Sequence, residues 1–320
     1  MQTDPNNCGA CGHACPGASR GETCVSGVCQ AYALSSPPAP FALTTDGTRV
    51  YYLYNDANGT ELASVPVGGG TASAPVLSTG GLAVVNDGSN VYVSGYNNST
   101  GIGFVTYSPG GNLGAVSILQ NMVQDVVFPL FYDAANKDVF YYVVGGGIWQ
   151  SPVGATNPPL VNGGFCQDVP QRIVADGSQV YWAGTGFSAY GVYSQVLSAG
   201  PNGPIATLYS PTTNNANVVG LAVQGSFIYF VDATSGTLGR VSTSGTPPAT
   251  QLTVASSPVD LAADASNVYW IDASGAQIMR IPTTGGTATP IATGGSANAI
   301  TLDATSVYWT NGSGVWRMPK

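Results

Sequence analysis

The stretch VDLAADASNVYWIDASGAQIMRIPTTGGTATPIA (259–292) contains four short runs of β-forming residues separated by turns. The runs are rich in Val, Ile, Tyr and Trp, and small polar residues or glycine stand between them, as is typical of strands joined by tight turns. The apolar residues do not follow the helical period of 3.6. We therefore expect four antiparallel strands at 259–263, 267–271, 277–282 and 288–292.

The centre of this stretch recurs along the chain, each time as an aliphatic run, a turn and an apolar strand. Seven copies carry a tyrosine in that strand, namely Tyr51, Tyr92, Tyr141, Tyr181, Tyr229, Tyr269 and Tyr308. Successive tyrosines lie 39–49 residues apart. One four-stranded unit in every forty-odd residues is typical of a β-propeller blade. The fold prediction is therefore all-β, a seven-bladed β-propeller of four-stranded antiparallel blades, with six blades as the alternative.

The last repeat carries one strand fewer than the others before residue 320. When Asp46 is aligned with Asp303, the segment Tyr32–Ser35 falls where the outermost strand of the last blade is required. A ring that borrows this strand leaves no free lateral edge. We therefore expect a cysteine-rich segment, 1–29, and a propeller, 30–320, in which residues 30–36 complete the last blade.

An aspartate precedes the first turn of six repeats. These residues are Asp46, Asp87, Asp133, Asp176, Asp264 and Asp303. Each is followed by Gly or Ala, where a carboxylate accepts the backbone N–H groups of a tight turn. A ring of metal ligands is the alternative interpretation. The uniform neighbouring residues favour turn chemistry.

The amino-acid composition argues against several classes of function. Charged residues make up 8% of the 320 residues, against about 25% in an ordinary soluble domain. The net charge is −8 with only two lysines, so no nucleic-acid partner is expected, because phosphates require clustered Lys and Arg. No apolar run approaches the length of a membrane-spanning helix. The start, MQTDP (1–5), lacks the basic and apolar stretches of a secretion signal, so we expect an exported protein in its mature form, without a signal peptide.

The cysteines are concentrated at the N-terminus. Five lie within 29 residues, Cys8, Cys11, Cys15, Cys24 and Cys29, and the sixth is Cys166. Such a dense cluster among Gly, Pro and Asn needs a covalent or metal staple. Disulfides are favoured, because a chain rich in Ser, Thr and Asn and poor in lysine is typical of extracellular proteins. A zinc site at Cys8, Cys11, His13 and Cys15 is the alternative. Because the segment contains five cysteines, one remains after two disulfides form. Its only candidate partner in this chain is Cys166.

Two motifs together resemble known secreted proteins. The pattern DPNNCGACGHAC (4–15) followed by CVSGVCQ (24–30) resembles a short cysteine-rich segment of the stigma-specific type that recurs in secreted proteins of myxobacteria. The repeats, such as ANAITLDATSVYWTNGSGVWRMP (297–319), resemble those of the YWTD, NHL and streptogramin-lyase-like propellers. The resemblance spans nearly the whole chain and implies the propeller architecture. It implies no particular function, and VYVSG and VYYLY depart from the YWTD pattern.

Catalysis by a histidine is not expected on the propeller. The only histidine is His13, inside the cysteine-rich segment. Ser-His-Asp and Cys-His sites need an imidazole as base, and the resemblance to streptogramin lyases implies propeller histidines that this chain lacks. No glycine-rich phosphate loop connects a strand to a helix.

The central channel is the most informative place to look for a site. The residues four positions before the aligned turn position are Ala42, Ala83, Pro129, Arg172, Gly220, Asp260 and Ala299. Five are small or proline, so Arg172 and Asp260 are exceptions. We expect Asp125, Asp168 and Asn298 to lie in loops at the same end. Ordinary rim charges are one interpretation, and a small polar pocket, with Ca²⁺ as the ion it would take, is the other; no cofactor or metal is otherwise predicted.

Aromatic residues suggest a second candidate surface. The repeat tyrosines, with Trp182, Trp270 and Trp309, are expected to fill the core between blades. The irregular repeats two to four carry further aromatics that we expect in loops: Tyr96, Tyr107, Phe187, Tyr190 and Tyr193. A loop tyrosine offers a large contact area at small entropic cost.

Two functional hypotheses follow. The first is a secreted or surface-attached binding scaffold that recognises a carbohydrate, peptide or protein ligand. The second is an extracellular lyase or hydrolase that uses a metal and carboxylates at the channel mouth. The lack of propeller histidines favours the first, because few groups remain that could act as a general base.

We predict that disulfides hold the cysteine-rich segment. The intact mass under non-reducing conditions should be about 2 Da below the reduced mass for every bridge, with no bound zinc. A further loss of about 2 Da would show that Cys166 is paired as well. One zinc per chain together with four free thiols would contradict the prediction.

Overall fold

A computed structural model shows the fold of the chain. It describes residues 3–8, 15, 22–77, 80–97, 102–109, 113, 117–122, 127–144, 147–153, 160–162, 168–186, 190–200, 203–211, 217–246 and 248–320. Thirty strands, β1–β30, and a 3₁₀ helix at Leu197–Ala199 are found in these residues. Among these residues, no helix is long and apolar enough to span a membrane.

Seven four-stranded antiparallel sheets form the blades, which confirms the predicted seven-bladed propeller. Blade 1 consists of β4 (Pro40–Thr45), β5 (Arg49–Asp56), β6 (Gly59–Pro66) and β7 (Val76–Leu77). Blade 2 consists of β8 (Gly81–Asn86), β9 (Asn90–Asn97), β10 (Ile102–Pro109) and β11 (Ser117–Met122). Blade 3 consists of β12 (Val127–Asp133), β13 (Asp138–Val143), β14 (Gly147–Pro152) and β15 (Leu160–Asn162).

The second half of the ring repeats the same order from the channel outward. Blade 4 consists of β16 (Asp168–Ala175), β17 (Gln179–Gly186), β18 (Tyr190–Val196) and β19 (Ile205–Tyr209). Blade 5 consists of β20 (Val218–Gln224), β21 (Phe227–Asp232), β22 (Thr237–Ser242) and β23 (Thr250–Val254). Blade 6 consists of β24 (Pro258–Ala263), β25 (Asn267–Asp272), β26 (Gln277–Pro282) and β27 (Thr289–Thr293). Blade 7 consists of β28 (Ala299–Leu302), β29 (Ser306–Asn311), β30 (Gly314–Pro319) and β3 (Tyr32–Ser35).

Blade 7 is built from both ends of the chain, as predicted. Strand β3 pairs antiparallel with β30, and Tyr32 lies opposite Arg317. The Arg317 Nη1 donates hydrogen bonds to the Tyr32 hydroxyl at 3.0 Å and to the Val67 carbonyl of blade 1 at 2.9 Å. One guanidinium therefore joins the N-terminal strand, the C-terminal strand and the next blade.

The core lies between the blades. The innermost strands of neighbouring blades contact one another around the whole ring, including β28 of blade 7 against β4 of blade 1. The seven repeat tyrosines are at most 2% exposed, and Trp182, Trp270 and Trp309 are buried as well. The expectation that these aromatics fill the core is confirmed. Their burial stabilises the fold through the hydrophobic effect, which does not depend on charged residues.

The aspartate turns bind tyrosine hydroxyls in addition to backbone groups. In blade 1, Asp46 Oδ1 accepts the N–H groups of Thr48 and Arg49, while Asp46 Oδ2 accepts the Tyr51 hydroxyl at 2.7 Å. The same tyrosine bond recurs at Asp87, Asp176 and Asp303. Burial and then this bond raise the pKa of Tyr51. Burial opposes ionisation of Asp46, but its hydrogen bonds together hold its pKa below the ordinary value. The turn interpretation therefore accounts for these carboxylates.

Blade 3 corrects the repeat alignment. Its first turn, 134–137, is longer, and Asp133 pairs with Asp138, so Phe140 takes the position that Tyr51 holds in blade 1. Tyr141 consequently packs toward blade 2, against Tyr92 and Val105, instead of toward blade 4. Within the described residues, the buried Asp133 Oδ2 and Tyr141 hydroxyl both lack a hydrogen-bond partner. Counted from the turn aspartate, Tyr141 lies three residues farther along than Tyr51 does, and the longer turn accounts for two of the three. Tyr141 is therefore one residue past the tyrosine position, and a one-residue shift turns a side chain to the other face of a strand, while Phe140 leaves Asp133 without a hydroxyl.

The cysteine-rich segment contains a separate two-stranded hairpin. Strands β1 (Cys24–Val25) and β2 (Val28–Cys29) pair through a turn in which Ser26 and Gly27 have φ of 52° and 80°. Positive φ at both positions is the geometry of the type I′ turn, which suits a two-residue hairpin. Disulfides join Cys8 to Cys24 and Cys15 to Cys29. Cys11, His13 and Cys166 lie outside the described residues.

We predict that removal of residues 1–36 destabilises the propeller. The deletion exposes β30 and removes the buried side chains of Tyr32 and Leu34, each worth about 1.5–3 kcal/mol. Thermal unfolding should show a clearly lower midpoint. Deletion of residues 1–30 is the matched control, because it removes the cysteine-rich segment and keeps β3. Equal melting of the 1–36 deletion and the full chain would refute closure through β3.

We also predict that Phe140→Tyr stabilises the protein. The new hydroxyl would lie where the other blades present the tyrosine to the turn carboxylate, so it should satisfy Asp133 Oδ2 and add about 1 kcal/mol to the free energy of unfolding. Phe230→Tyr is the control, because Phe230 is a fully buried ring one residue past the repeat tyrosine Tyr229, so its side chain points to the other face of the strand. Chemical denaturation measures both. Equal destabilisation by the two substitutions would contradict the register assigned to blade 3.

Candidate functional site

The innermost strands share an irregularity at the channel mouth. In blades 1–6 the register with the second strand shifts near the start of the innermost strand, for example between Pro170 and Arg172 and between Pro258 and Leu261. Six of the seven positions singled out from the sequence lie at or next to this point, and the seventh, Ala299, lies in blade 7, whose pairing has no shift. A β-bulge leaves a residue unpaired and re-aims its side chain, and bulges are common near functional sites. In blades 1–6 the innermost strand begins two to four residues before the position singled out, and in blade 7 it begins at Ala299 itself.

Arg172 and Asp260 meet at the channel mouth. The Arg172 Nη2 lies 3.5 Å from Asp260 Oδ1, and Arg172 Nη1 donates to the Gln171 carbonyl at 3.0 Å. The side chain of Arg172 is 38% exposed, whereas that of Asp260 is 14% exposed. The two residues come from blades 4 and 6, so their contact spans blade 5.

A glycine in blade 5 lies between them in the ring order. Gly220 holds the position that Arg172 and Asp260 hold in their own blades. A Cβ atom at Gly220 would lie 2.8 Å from the backbone nitrogen of Leu261, the residue after Asp260. Any side chain at Gly220 would therefore push blade 6 away from blade 5.

Asp260 also joins blade 6 to blade 7. Its Oδ2 accepts the backbone N–H of Ile300 at 3.1 Å. Burial raises the pKa of Asp260, while the charge of Arg172 and the N–H groups of Ile300 and Leu261 oppose that rise. Arg172 and the two N–H groups thus offset part of the free-energy cost of burying this carboxylate. Asp260 therefore has a structural role, because it links blade 6 to blades 4 and 7.

Asn298 does not join this pair. Its side chain is exposed, and its Nδ2 donates to the Pro40 carbonyl of blade 1 at 3.4 Å. Asn298 lies in the loop before β28, as expected, and connects blade 7 to blade 1. Asp125 lies outside the described residues. Asp168 begins β16 opposite Gly186, in a strand and not in a loop.

The expectation that the aromatic residues of repeat four lie in loops is wrong for two of the three. Tyr190 and Tyr193 belong to strand β18, not to a loop. Tyr193 is only 7% exposed and packs against Trp182, with ring centroids 6.0 Å apart. The alternation of side chains along a strand buries it, whereas the flanking glycines had suggested a loop. Phe187 lies outside the described residues.

The described sulfur atoms of the cysteine-rich segment are paired with one another. Cys8, Cys15 and Cys29 lie close together, and each is part of a disulfide. Two members of the proposed zinc set, Cys8 and Cys15, are therefore used covalently in this structure. The prediction of disulfides in the segment is confirmed for four cysteines.

One feature of the site was missed from the sequence. The register shift in the innermost strands carries Asp260 out of the regular pairing, and nothing in the letters VDLAAD (259–264) marks it. Proline or glycine at the start of several of these strands, as in Pro40, Gly81 and Pro258, was the available signal.

The fold is shared with known structures, whereas the sequence is not. No family model matches the chain, and no curated protein matches it either. A computationally designed protein, Ika8, is 13% identical with a TM-score of 0.61, over 90% of this chain and 99% of that chain. A chain of the nidogen/laminin complex is 15% identical with a TM-score of 0.54, over 70% of this chain and 85% of that one.

A third similar structure is an extracellular domain. The extracellular domain of the putative one-component system BT4673 from B. thetaiotaomicron is 12% identical with a TM-score of 0.63. The match covers 90% of this chain and 40% of that chain. At these identities the similarities establish the fold, a β-propeller, and no activity.

Proposed function

We propose that this protein is a secreted or cell-surface binding scaffold whose ligand contacts the channel-mouth face of the propeller. The ligand would be a component of a cell surface or extracellular matrix, such as a glycan or peptide, that offers a carboxylate or a pair of hydroxyls to Arg172. The proposal rests chiefly on the state of Arg172.

Arg172 combines exposure with restraint. Its guanidinium is partly open to solvent, yet one nitrogen is held by the Gln171 carbonyl and another faces Asp260. A guanidinium held in place presents a planar fork that suits a carboxylate or a diol, and little side-chain entropy remains to be lost on binding. Among the described residues of the channel mouth, Arg172 is therefore the polar group best prepared to receive a ligand.

An extracellular location is supported by chemistry. Disulfides persist in oxidising compartments, and two are present. Similar propeller chains occur in an extracellular domain and in a nidogen/laminin complex. The resemblance of the N-terminal segment to that of secreted myxobacterial proteins agrees with this location.

The alternative, a lyase or hydrolase, needs a second acid beside Asp260. Acid/base catalysis by carboxylates requires two groups in differently tuned environments. The candidates are Asp125, which lies outside the described residues, and Asp168, whose side chain lies outside them. Asp260 itself is engaged with Arg172 and Ile300. The binding scaffold is the hypothesis that the described residues support better.

We predict that Arg172→Ala weakens ligand binding by about 1–3 kcal/mol, because a charge-assisted hydrogen bond to the ligand is lost. The fold should persist, because Asp260 keeps the backbone N–H groups of Ile300 and Leu261. The measurement is a screen of glycans and extracellular-matrix peptides, followed by titration calorimetry on each hit. Asp260→Ala should weaken binding too, because it releases the guanidinium.

Lys137→Asn is the matched control, because it removes one positive charge from an exposed turn at the opposite end of an innermost strand. It should bind like the unmodified protein. Unchanged affinity of Arg172→Ala and Asp260→Ala would refute the channel mouth as the binding site.

A further inference from the structure

A cleft opens between blades 1 and 2, away from Arg172 and Asp260. It has a volume of about 540 Å³ and is lined by Phe41, Asn55, Thr60, Gly80, Gly81, Leu82 and Tyr96. These residues come from the starts of the innermost strands β4 and β8, the ends of β5 and β9 and the start of β6. They therefore lie on the same face of the disc as the channel mouth. The volume is within the range of small-molecule sites.

None of the described residues that line the cleft has a charged side chain. Phe41 and Tyr96 are partly exposed aromatic residues, and Leu82 is 42% exposed. In a protein of net charge −8, a neutral lining neither attracts a cation specifically nor offers a partner to an anion. A neutral ligand with an apolar face fits these walls best.

A polar pair stands at one wall of the cleft. The Thr60 hydroxyl donates to Asn55 Oδ1 at 2.9 Å, which fixes the orientation of the Asn55 amide. Asn55 is exposed, so its Nδ2 is presented to solvent as an oriented donor. Aromatic surface beside an oriented amide matches a ligand that has a C–H face and ring hydroxyls.

The opposite wall depends on a glycine. Gly80 has φ of 76°, and its carbonyl accepts the Tyr96 N–H at 3.0 Å. A Cβ at Gly80 would lie 1.8 Å from the Tyr96 carbonyl oxygen. Only glycine permits this close approach, so the backbone that carries Tyr96 is held at the rim of the cleft.

From this geometry we infer that the cleft binds a neutral sugar residue. The pyranose C–H face packs on the aromatic side chains, and its hydroxyls bond to Asn55 and Thr60. The inference rests on the proposed function, because it gives the binding scaffold a second contact on the same face. The propeller would then bind a neutral unit of a glycan in the cleft, while Arg172 binds another group of the same ligand at the channel mouth.

The test uses neutral methyl glycosides of glucose, galactose, mannose and N-acetylglucosamine, with their disaccharides, and saturation-transfer NMR on the full chain. At least one should bind, and Tyr96→Ala and Asn55→Ala should each lower its affinity about tenfold. Tyr96→Phe should keep most of the affinity, since the stacking ring is retained.

Two control variants separate this inference from the proposed function. Asn58→Ala alters an exposed asparagine close in sequence that does not line the cleft, and Arg172→Ala alters the channel mouth. Both should bind the methyl glycosides normally. If Arg172→Ala abolishes glycoside binding while Tyr96→Ala does not, the cleft inference fails and the channel-mouth proposal stands.

Two further outcomes would overturn the inference. One is the absence of binding by any neutral glycoside at millimolar concentration. The other is selective binding of apolar peptides that Tyr96→Ala abolishes, because the cleft would then be a peptide site. Circular dichroism of each variant confirms that a loss of binding is not a loss of fold.

Discussion

The rest of the structure depends on one constraint, the closure of a ring of sheets that can bury their faces only against one another. Each blade has an apolar face toward each neighbour, so a missing contact would expose two such faces at once. Closure is achieved at three radii. Innermost strands β28 and β4 touch, Arg317 reaches the Val67 carbonyl, and β3 completes the outer edge of blade 7. These contacts join the last blade to the first and close the row of blades into a disc.

The same closure shapes the inner edge, where function is proposed. An innermost strand has no hydrogen-bonded partner on its channel side, so its backbone groups must be satisfied by side chains or water. Asp260 performs this role for Ile300, and Asn298 does so for Pro40. Arg172 is bound on one side by the protein and open on the other. The need to satisfy the backbone groups of the inner edge thus accounts for the structural contacts of Asp260 and Asn298 and for the position of Arg172.

Much of the architecture could be predicted from the sequence because the repeat is regular. The four strands of blade 6 were placed within one residue of their observed ends, and Tyr32–Ser35 was assigned to blade 7. These predictions depend on local patterns, namely alternation and turn residues, and on one alignment through Asp46 and Asp303. Local patterns are what a single sequence records best.

The errors have physical causes that a repeat alignment does not contain. Tyr141 was aligned as a repeat tyrosine, but the longer turn places Phe140 at that position, so Tyr141 is one residue past it and points to the other side of the blade. Tyr193 was expected in a loop, yet an extended hairpin carries it into the core beside Trp182. Of the channel set, Arg172 and Asp260 do meet, because bulges and Gly220 bring blades 4 to 6 close enough, which sequence spacing alone does not show. The cleft between blades 1 and 2 was not predicted either, since its walls come from five different strands.

Amide hydrogen exchange of the intact protein tests ring closure most directly. The comparison is between strand β30 and its counterpart β26, which lies inside blade 6 with a partner on both sides. If β3 pairs with β30 in solution, the interior amides of β30 should exchange as slowly as those of β26. Rapid exchange confined to the outward-facing amides of β30 would show an unpaired edge and would contradict the account.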